Sequence, residues 1–396
     1  MRPRPDSLVI AALLTTLVAL GPLSTDMYLP TLPSLMRAFG AGIAPAQFTL
    51  SIFLIGFAFG QLAVGPLSDR FGRRPVLIWG ITLYTAASIA CACTDDFNQL
   101  ATARLFQALG ACCGPVLGRA IVRDVYGHER AARMYAYMAL AMAAAPAVAP
   151  MIGGFLTQWP GWRWIFLVLG LIGAGLLVAV ALMLTETNTN LNSDAVRPGH
   201  LLANYALLIK DRGYRCYVLC FAGVFSSLFT FISGSSFVLI DRYGLSPVMY
   251  GLCFGVVVLG YMVGNFASGR LTQRLGIRRM IALGLWVGSL AAMLGLGLTL
   301  AGAEGVAAIV GPVALVMVGA GLVLPNALAG AVGPFGDMAG TASALLGFAQ
   351  MLLAALAGLI VGHFGSDSAV PMMLGIALAN LLAVVAYRGL APEHTG

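Results

Sequence analysis

Runs of about twenty apolar residues, the length needed for one helical crossing of a bilayer, recur along the whole chain and are separated by short, arginine-rich gaps. They fall at roughly 8–29, 46–66, 75–94, 98–120, 134–157 and 163–184, then 214–240, 248–268, 279–300, 306–328, 341–363 and 370–388. A water-soluble domain with 60% hydrophobic and 9% charged residues could not cover its core with polar surface. In lipid every backbone polar group must be satisfied internally, so runs of this length are read as helices. The expected fold is an all-α integral membrane protein with twelve spans.

Charge placement tests that count independently, because the Lys and Arg excess belongs in cytoplasmic loops. With both termini cytoplasmic, 18 of the 22 basic residues fall inside, only Arg37, Arg163 and Arg242 fall outside, and Arg104 is left within a span. The net charge of +7 then suits an anionic inner leaflet and calls for no nucleic acid. The first run is too long for a signal peptide and lacks a small-residue cleavage site, so it reads as a retained helix. The seven cysteines lie in or at the ends of apolar runs without metal-ligand context, as small buried hydrophobes do.

The turn GPLSDRFGRRPVL, Gly65 to Leu77, has an echo 204 residues later, GRLTQRLGIRRMI, Gly269 to Ile281. The chain therefore reads as a duplication: a six-helix bundle over 1–184, a linker over 185–213 and a second six-helix bundle over 214–396. Within the linker, the polar Asn-rich stretch 185–200 is solvated. Leu201, Leu202, Tyr205, Leu208 and Ile209 that follow share one helical face, which fits either a short helix on the inner membrane surface or an extension of the seventh span.

Gly65, Leu67, Asp69, Arg70, Gly72, Arg73, Arg74 and Leu77 stand at the spacing of the signature loop between the second and third helices of the major facilitator superfamily, which the chain resembles throughout. The resemblance implies two pseudo-symmetric bundles that rock about a midplane site, with Gly65, Asp69, Arg70, Gly72, Arg73 and Arg74 as a conformational latch. The echo has Gln273 at the aspartate position, so the latch is expected on one side only. A mere orientation signal would need the arginines but not Asp69.

Two charges, Asp26 and Arg104, lie inside apolar runs, where each costs at least about 2.5–3.5 kcal/mol. Their helices run in opposite directions and bring both to comparable depth, Asp26 toward the outer half of helix one, where they pair or compete. LSTDMYLPTLP around Asp26 resembles the first-helix motif of drug:proton antiporters, more narrowly the bicyclomycin and chloramphenicol resistance branch, and RLFQALGACCG from Arg104 is similar to the superfamily's fourth-helix motif. The resemblance implies that Asp26 carries a proton and Arg104 biases its release. Burial disfavours a carboxylate's charged form while a guanidinium favours it, which makes a loading and unloading device; the alternative is an Asp26 that reaches water as a helix-end residue.

Pro146, Pro150, Gly153 and Gly154 in APAVAPMIGGF resemble the antiporter motif of exporters, with alanines such as Ala141 in place of the upstream glycines; a simple proline kink is the other reading. Gly340 to Gly362 resembles the eleventh helix of the same branch. Met27, Tyr28, Gln107, Tyr135, Tyr137, Phe225, Phe229, Tyr261, Asn265, Asn326 and Gln350 are the candidate pocket lining, aromatics and methionine for adaptable contact and amides for orientation.

The resemblance thus implies a monomeric multi-pass exporter in the bacterial inner membrane that swaps a small apolar or amphipathic drug for protons and needs no cofactor. An exporter or importer of a native metabolite on the same fold is the alternative. His128, His200, His363 and His394 are scattered, and the sole lysine, Lys210, follows no phosphate-binding glycine loop, which speaks against a metalloenzyme and an ATP-driven pump.

Overall fold

The computed structural model describes residues 8–125, 128–159, 161–188, 191, 198–303, 305–363 and 368–390. Fourteen helices follow in order: α1 (Leu8–Asp26), α2 (Leu32–Phe39), α3 (Ile43–Phe71), α4 (Arg73–Ala92), α5 (Phe97–Ala111), α6 (Cys113–Val125), α7 (His128–Gln158), α8 (Arg163–Met183), α9 (Pro198–Lys210), α10 (Arg212–Ser236), α11 (Pro247–Leu300), α12 (Val306–Val332), α13 (Ala339–His363) and α14 (Val370–Leu390). No strand occurs among the described residues. Among the described residues, ten stretches are long and apolar enough to cross a membrane. One of them, the 54-residue α11, breaks at Gly276 and is long enough for two crossings, and α7, with 31 residues, is long enough for the twelfth.

The first crossing differs from the expected 8–29. It runs from Val9 to Phe39, with α1 ending at Asp26 and a 3-10 turn over Leu29–Thr31 leading into α2. Pro30 and Pro33 sit at the starts of the 3-10 turn and α2, where a missing N–H costs nothing, so they re-start the helix instead of ending it. Gly40, at φ 61°, closes the segment. Asp26 is the eighteenth of the 31 residues in this stretch, just past its middle.

The connection to α10 resolves to a separate helix, α9. Asp211 is extended (φ −68°, ψ 124°) and its carboxylate accepts the Tyr214 N–H at 2.6 Å, a cap that starts α10 afresh. The side chains of Leu201 and Leu202, like Arg2, Arg4 and Arg197, lie outside the described residues.

The chain divides into two compact units, 1–40 with 52–201 and 41–51 with 202–396. In the first, α1 packs on α7 and α6, and α4 lies between α5 and α8. In the second, α10 is surrounded by α12, α13 and α14, and α11 packs on α12. Residues 41–51, inside the stretch expected to form the first bundle, cluster with the second unit, where Gln47 Nε2 donates to Ser233 O at 2.7 Å. Polarity sorts the helices within a unit. The most apolar span, α8, has mean hydropathy 2.9 and only 39% of its window buried, whereas the Ser/Thr-bearing span containing α10 has 1.9 and 78%. Hydroxyls turn inward and oil turns to lipid, as expected where lipid offers no hydrogen bonds.

The duplication persists in the backbone. Gly72 (φ 96°, ψ 155°) and Gly276 (φ 78°, ψ 158°) hold the same left-handed conformation 204 residues apart, one that side-chain-bearing residues rarely adopt. Gly80 meets Gly110 and Gly284 meets Gly319 backbone to backbone at corresponding crossings.

Candidate functional site

Asp26 ends α1 and is buried. Its Oδ1 lies 3.0 Å from the Thr25 hydroxyl, which also reaches Gly21 O at 3.3 Å and Pro22 O at 3.1 Å. One hydrogen is thus shared among three acceptors. Immediately beyond Asp26, α7 closes on the break. A Cβ on Gly153 would run into the Met27 carbonyl, so only glycine permits this approach. The antiporter-like helix thereby packs on the segment that holds the carboxylate. Pro146 and Pro150 lie within the same helix, and Pro150 and Gly154 are buried.

Arg104, seven residues into α5, is completely buried. Its Nη1 donates to Ser24 O at 3.0 Å and to Gln107 Oε1 at 2.7 Å. Its guanidinium carbon lies 4.2 Å from the Phe53 ring centre, 4.7 Å from Tyr28 and 6.0 Å from Phe166. Desolvated cation–π contacts contribute about 2 kcal/mol each, so the two nearer rings together offset an insertion cost of about 3 kcal/mol. Gln107 is fixed in turn by donating to Ser88 Oγ at 2.8 Å, and Ser24 Oγ and Tyr84 Oη share a hydrogen bond of 2.8 Å. The Nε and Nη2 atoms of Arg104 find no acceptor, an arrangement that costs about 1–3 kcal/mol per group or more.

The two intramembrane charges do meet the same segment of helix one, but not each other. Among the described residues no ion pair joins Asp26 to Arg104; the guanidinium is instead held by Ser24, two residues before Asp26, and by Tyr28, two residues after it. The expected direct pair is replaced by contact through the α1 break.

The basic turn forms a second cluster. Arg73 is 5% exposed and donates to Ser68 Oγ at 2.5 Å, Asp69 Oδ1 at 2.6 Å and Asp124 Oδ2 at 3.1 Å. Arg74 Nη2 donates to Ala181 O at 2.8 Å, and Arg70 stacks on Phe71. Gly65 lies within α3 in open space. Glu186, from the stretch read as solvated linker, receives the N–H groups of Arg73 (2.9 Å), Arg74 (3.0 Å), Thr187 (3.0 Å) and Asn188 (2.8 Å). It thereby satisfies the exposed donors at the start of α4. A side chain on Gly72 would strike its Oε2.

Of the candidate lining, Met27, Tyr28 and Gln107 are buried in the first unit, Met27 next to Asp26 in sequence and Tyr28 and Gln107 against Arg104. Tyr135 and Tyr137 lie in α7, but their side chains lie outside the described residues. In the second unit, Asn326 is occupied structurally: it donates to Ser268 Oγ and Leu322 O and accepts from Thr272. Phe229 is buried there, while Phe225, Tyr261, Asn265 and Gln350 are half-buried. Sequence reasoning missed Phe53, Phe166, Ser24, Tyr84 and Ser88 around Arg104, and Asp124 and Glu186 around Arg73. Asp124 carried a signal, being an acid at the basic end of a span; the others look like ordinary helix or linker residues.

The Major Facilitator Superfamily matches residues 14–358 of the chain. A chloramphenicol resistance protein from Pseudomonas aeruginosa is 31% identical over 365 residues, 91% of this chain and 86% of that protein. A bicyclomycin resistance protein homolog from Haemophilus influenzae is 28% identical over 395 residues, 98% and 97% of the two chains. Among solved structures, a D-xylose-proton symporter superposes with a TM-score of 0.76 at 16% identity over 98% of both chains, a likeness of fold.

Proposed function

Because this chain belongs to the major facilitator superfamily, we propose that it is a drug:proton antiporter, exporting a small apolar or amphipathic drug across the bacterial inner membrane as protons move in. It is a multi-pass membrane transporter and not an enzyme. The observation that carries the finer reading is a carboxylate, Asp26, buried just past the middle of the first apolar stretch, where helix one breaks and where Gly153 packs. Relatives named for resistance to bicyclomycin and chloramphenicol support the substrate class and the direction.

In this scheme Asp26 takes a proton on the outer side, crosses the rocking step neutral and gives it up inside, since a neutral carboxyl is far cheaper to hold in a dry interior than a charged one. Arg104, on α5, supplies a fixed positive charge against the same segment and biases the release. The turn around Arg73 latches one conformation through Asp69. No bound cofactor enters the scheme. The protein acts as a monomer with both termini in the cytoplasm.

Asp26→Asn in proteoliposomes, with drug-induced proton release as the readout, tests the scheme. Release is expected to disappear while drug binding persists. Release at the wild-type level would remove Asp26 from the coupling.

A further inference from the structure

One edge of the Arg104 guanidinium is left over after its surroundings are satisfied. Nη1 serves Ser24 O and Gln107 Oε1, and the ring contacts come from Tyr28, Phe53 and Phe166. Nε and Nη2 are buried and have no acceptor. These two nitrogens form the side-on fork of an arginine, whose parallel N–H groups match two oxygens held on one planar atom. Asp26 does not fill the fork: among the described residues neither nitrogen has a carboxylate partner.

We infer that this fork receives a paired-oxygen group of the transported molecule, a carboxylate being the strongest fit, with the apolar body of the molecule against Tyr28, Phe53 and Phe166. The site then favours anions over organic cations of the same shape, because a buried guanidinium with no carboxylate paired to it repels a second positive charge. The inference rests on the drug-exporter reading and deepens it by naming the head group the substrate carries.

Two probes with the same body and opposite heads separate the outcomes: 3-phenylpropionate and 3-phenylpropyltrimethylammonium, titrated calorimetrically into the purified full chain in detergent without a proton gradient. The carboxylate is expected to bind at least about tenfold tighter, a loss typical of one charged bidentate contact. Arg104→Lys keeps the charge but not the fork, and is expected to weaken carboxylate binding by a similar factor. Equal affinity for the two probes, or tighter ammonium binding, overturns the inference, as does an Arg104→Lys protein that takes the carboxylate as well as wild type. If that variant does not fold, the wild-type comparison alone decides. Carboxylate preference with no drug-induced proton release from the wild-type protein would sink the antiport scheme and spare the fork; coupled release with no head-group preference would do the reverse.

Discussion

At the scale of single residues, the contacts that matter most join positions far apart in the chain. Glu186 lies 113 residues from Arg73, yet it closes the start of α4 with two backbone hydrogen bonds and organises its own turn with two more. Replacing such a capping carboxylate costs about 1 kcal/mol. Glu186→Ala is therefore expected to lower the thermal unfolding midpoint in detergent and to reduce transport. Thr187→Ala, which removes a hydroxyl that has no partner, is expected to leave both unchanged, and equal midpoints for the two variants would refute the capping role. The contrast between Asp26 and Glu186 shows what one sequence discloses. A charge inside an apolar run declares itself by its cost, so Asp26 and Arg104 were legible. A glutamate in a polar stretch costs nothing there, and its partner is set only by the path of the chain.

At the scale of elements, the helices were legible because hydrophobic length is a direct physical requirement, and their joints were less so. Asp211 breaks α9 from α10 by capping with its side chain, an option that periodicity left open. The α1 break escaped because prolines at a helix start are neutral, whereas a proline in a run suggests a stop. Asp26 and Arg104 do not pair because the guanidinium is taken up by Ser24 O and the Tyr28 ring on either side of Asp26, which depth alone does not reveal. The joint depends on α7. Gly153→Val places a branched side chain on the Met27 carbonyl, so α7 and the break must separate. Transport is expected to fall by an order of magnitude or more, whereas Gly175→Ala in α8, with nothing within 4 Å of the added carbon, is expected to be neutral or slightly stabilising. Comparable drug efflux from the two variants would show that the close approach has no mechanistic weight.

At the scale of the whole chain, the duplication preserved geometry while charge diverged. Both turns keep their left-handed glycine, Gly72 and Gly276; Ile277 takes the position of Arg73 in the echo, but both have an arginine, Arg74 and Arg278, five residues after the position of Asp69 or Gln273. Only the first has a carboxylate there, and its Arg73 is held by Asp69 and Asp124 together. The two acids are not equivalent. The Asp69 side chain is 46% exposed and that of Asp124 is 16% exposed, so water already solvates much of Asp69 and its removal should cost under about 1 kcal/mol of stability. Losing Asp124 from a nearly dry arginine should cost several times more, about 3–5 kcal/mol. Asp69→Asn is consequently the variant that reads the latch without unfolding it. Drug efflux from cells carrying Asp69→Asn is expected to fall at least about tenfold, with expression and unfolding midpoint near wild type, whereas Gln273→Asn in the echo should leave efflux unchanged. Full efflux with Asp69→Asn would reduce the turn to an orientation signal carried by its arginines, and equal sensitivity of the two positions would mean that both copies latch despite their different chemistry.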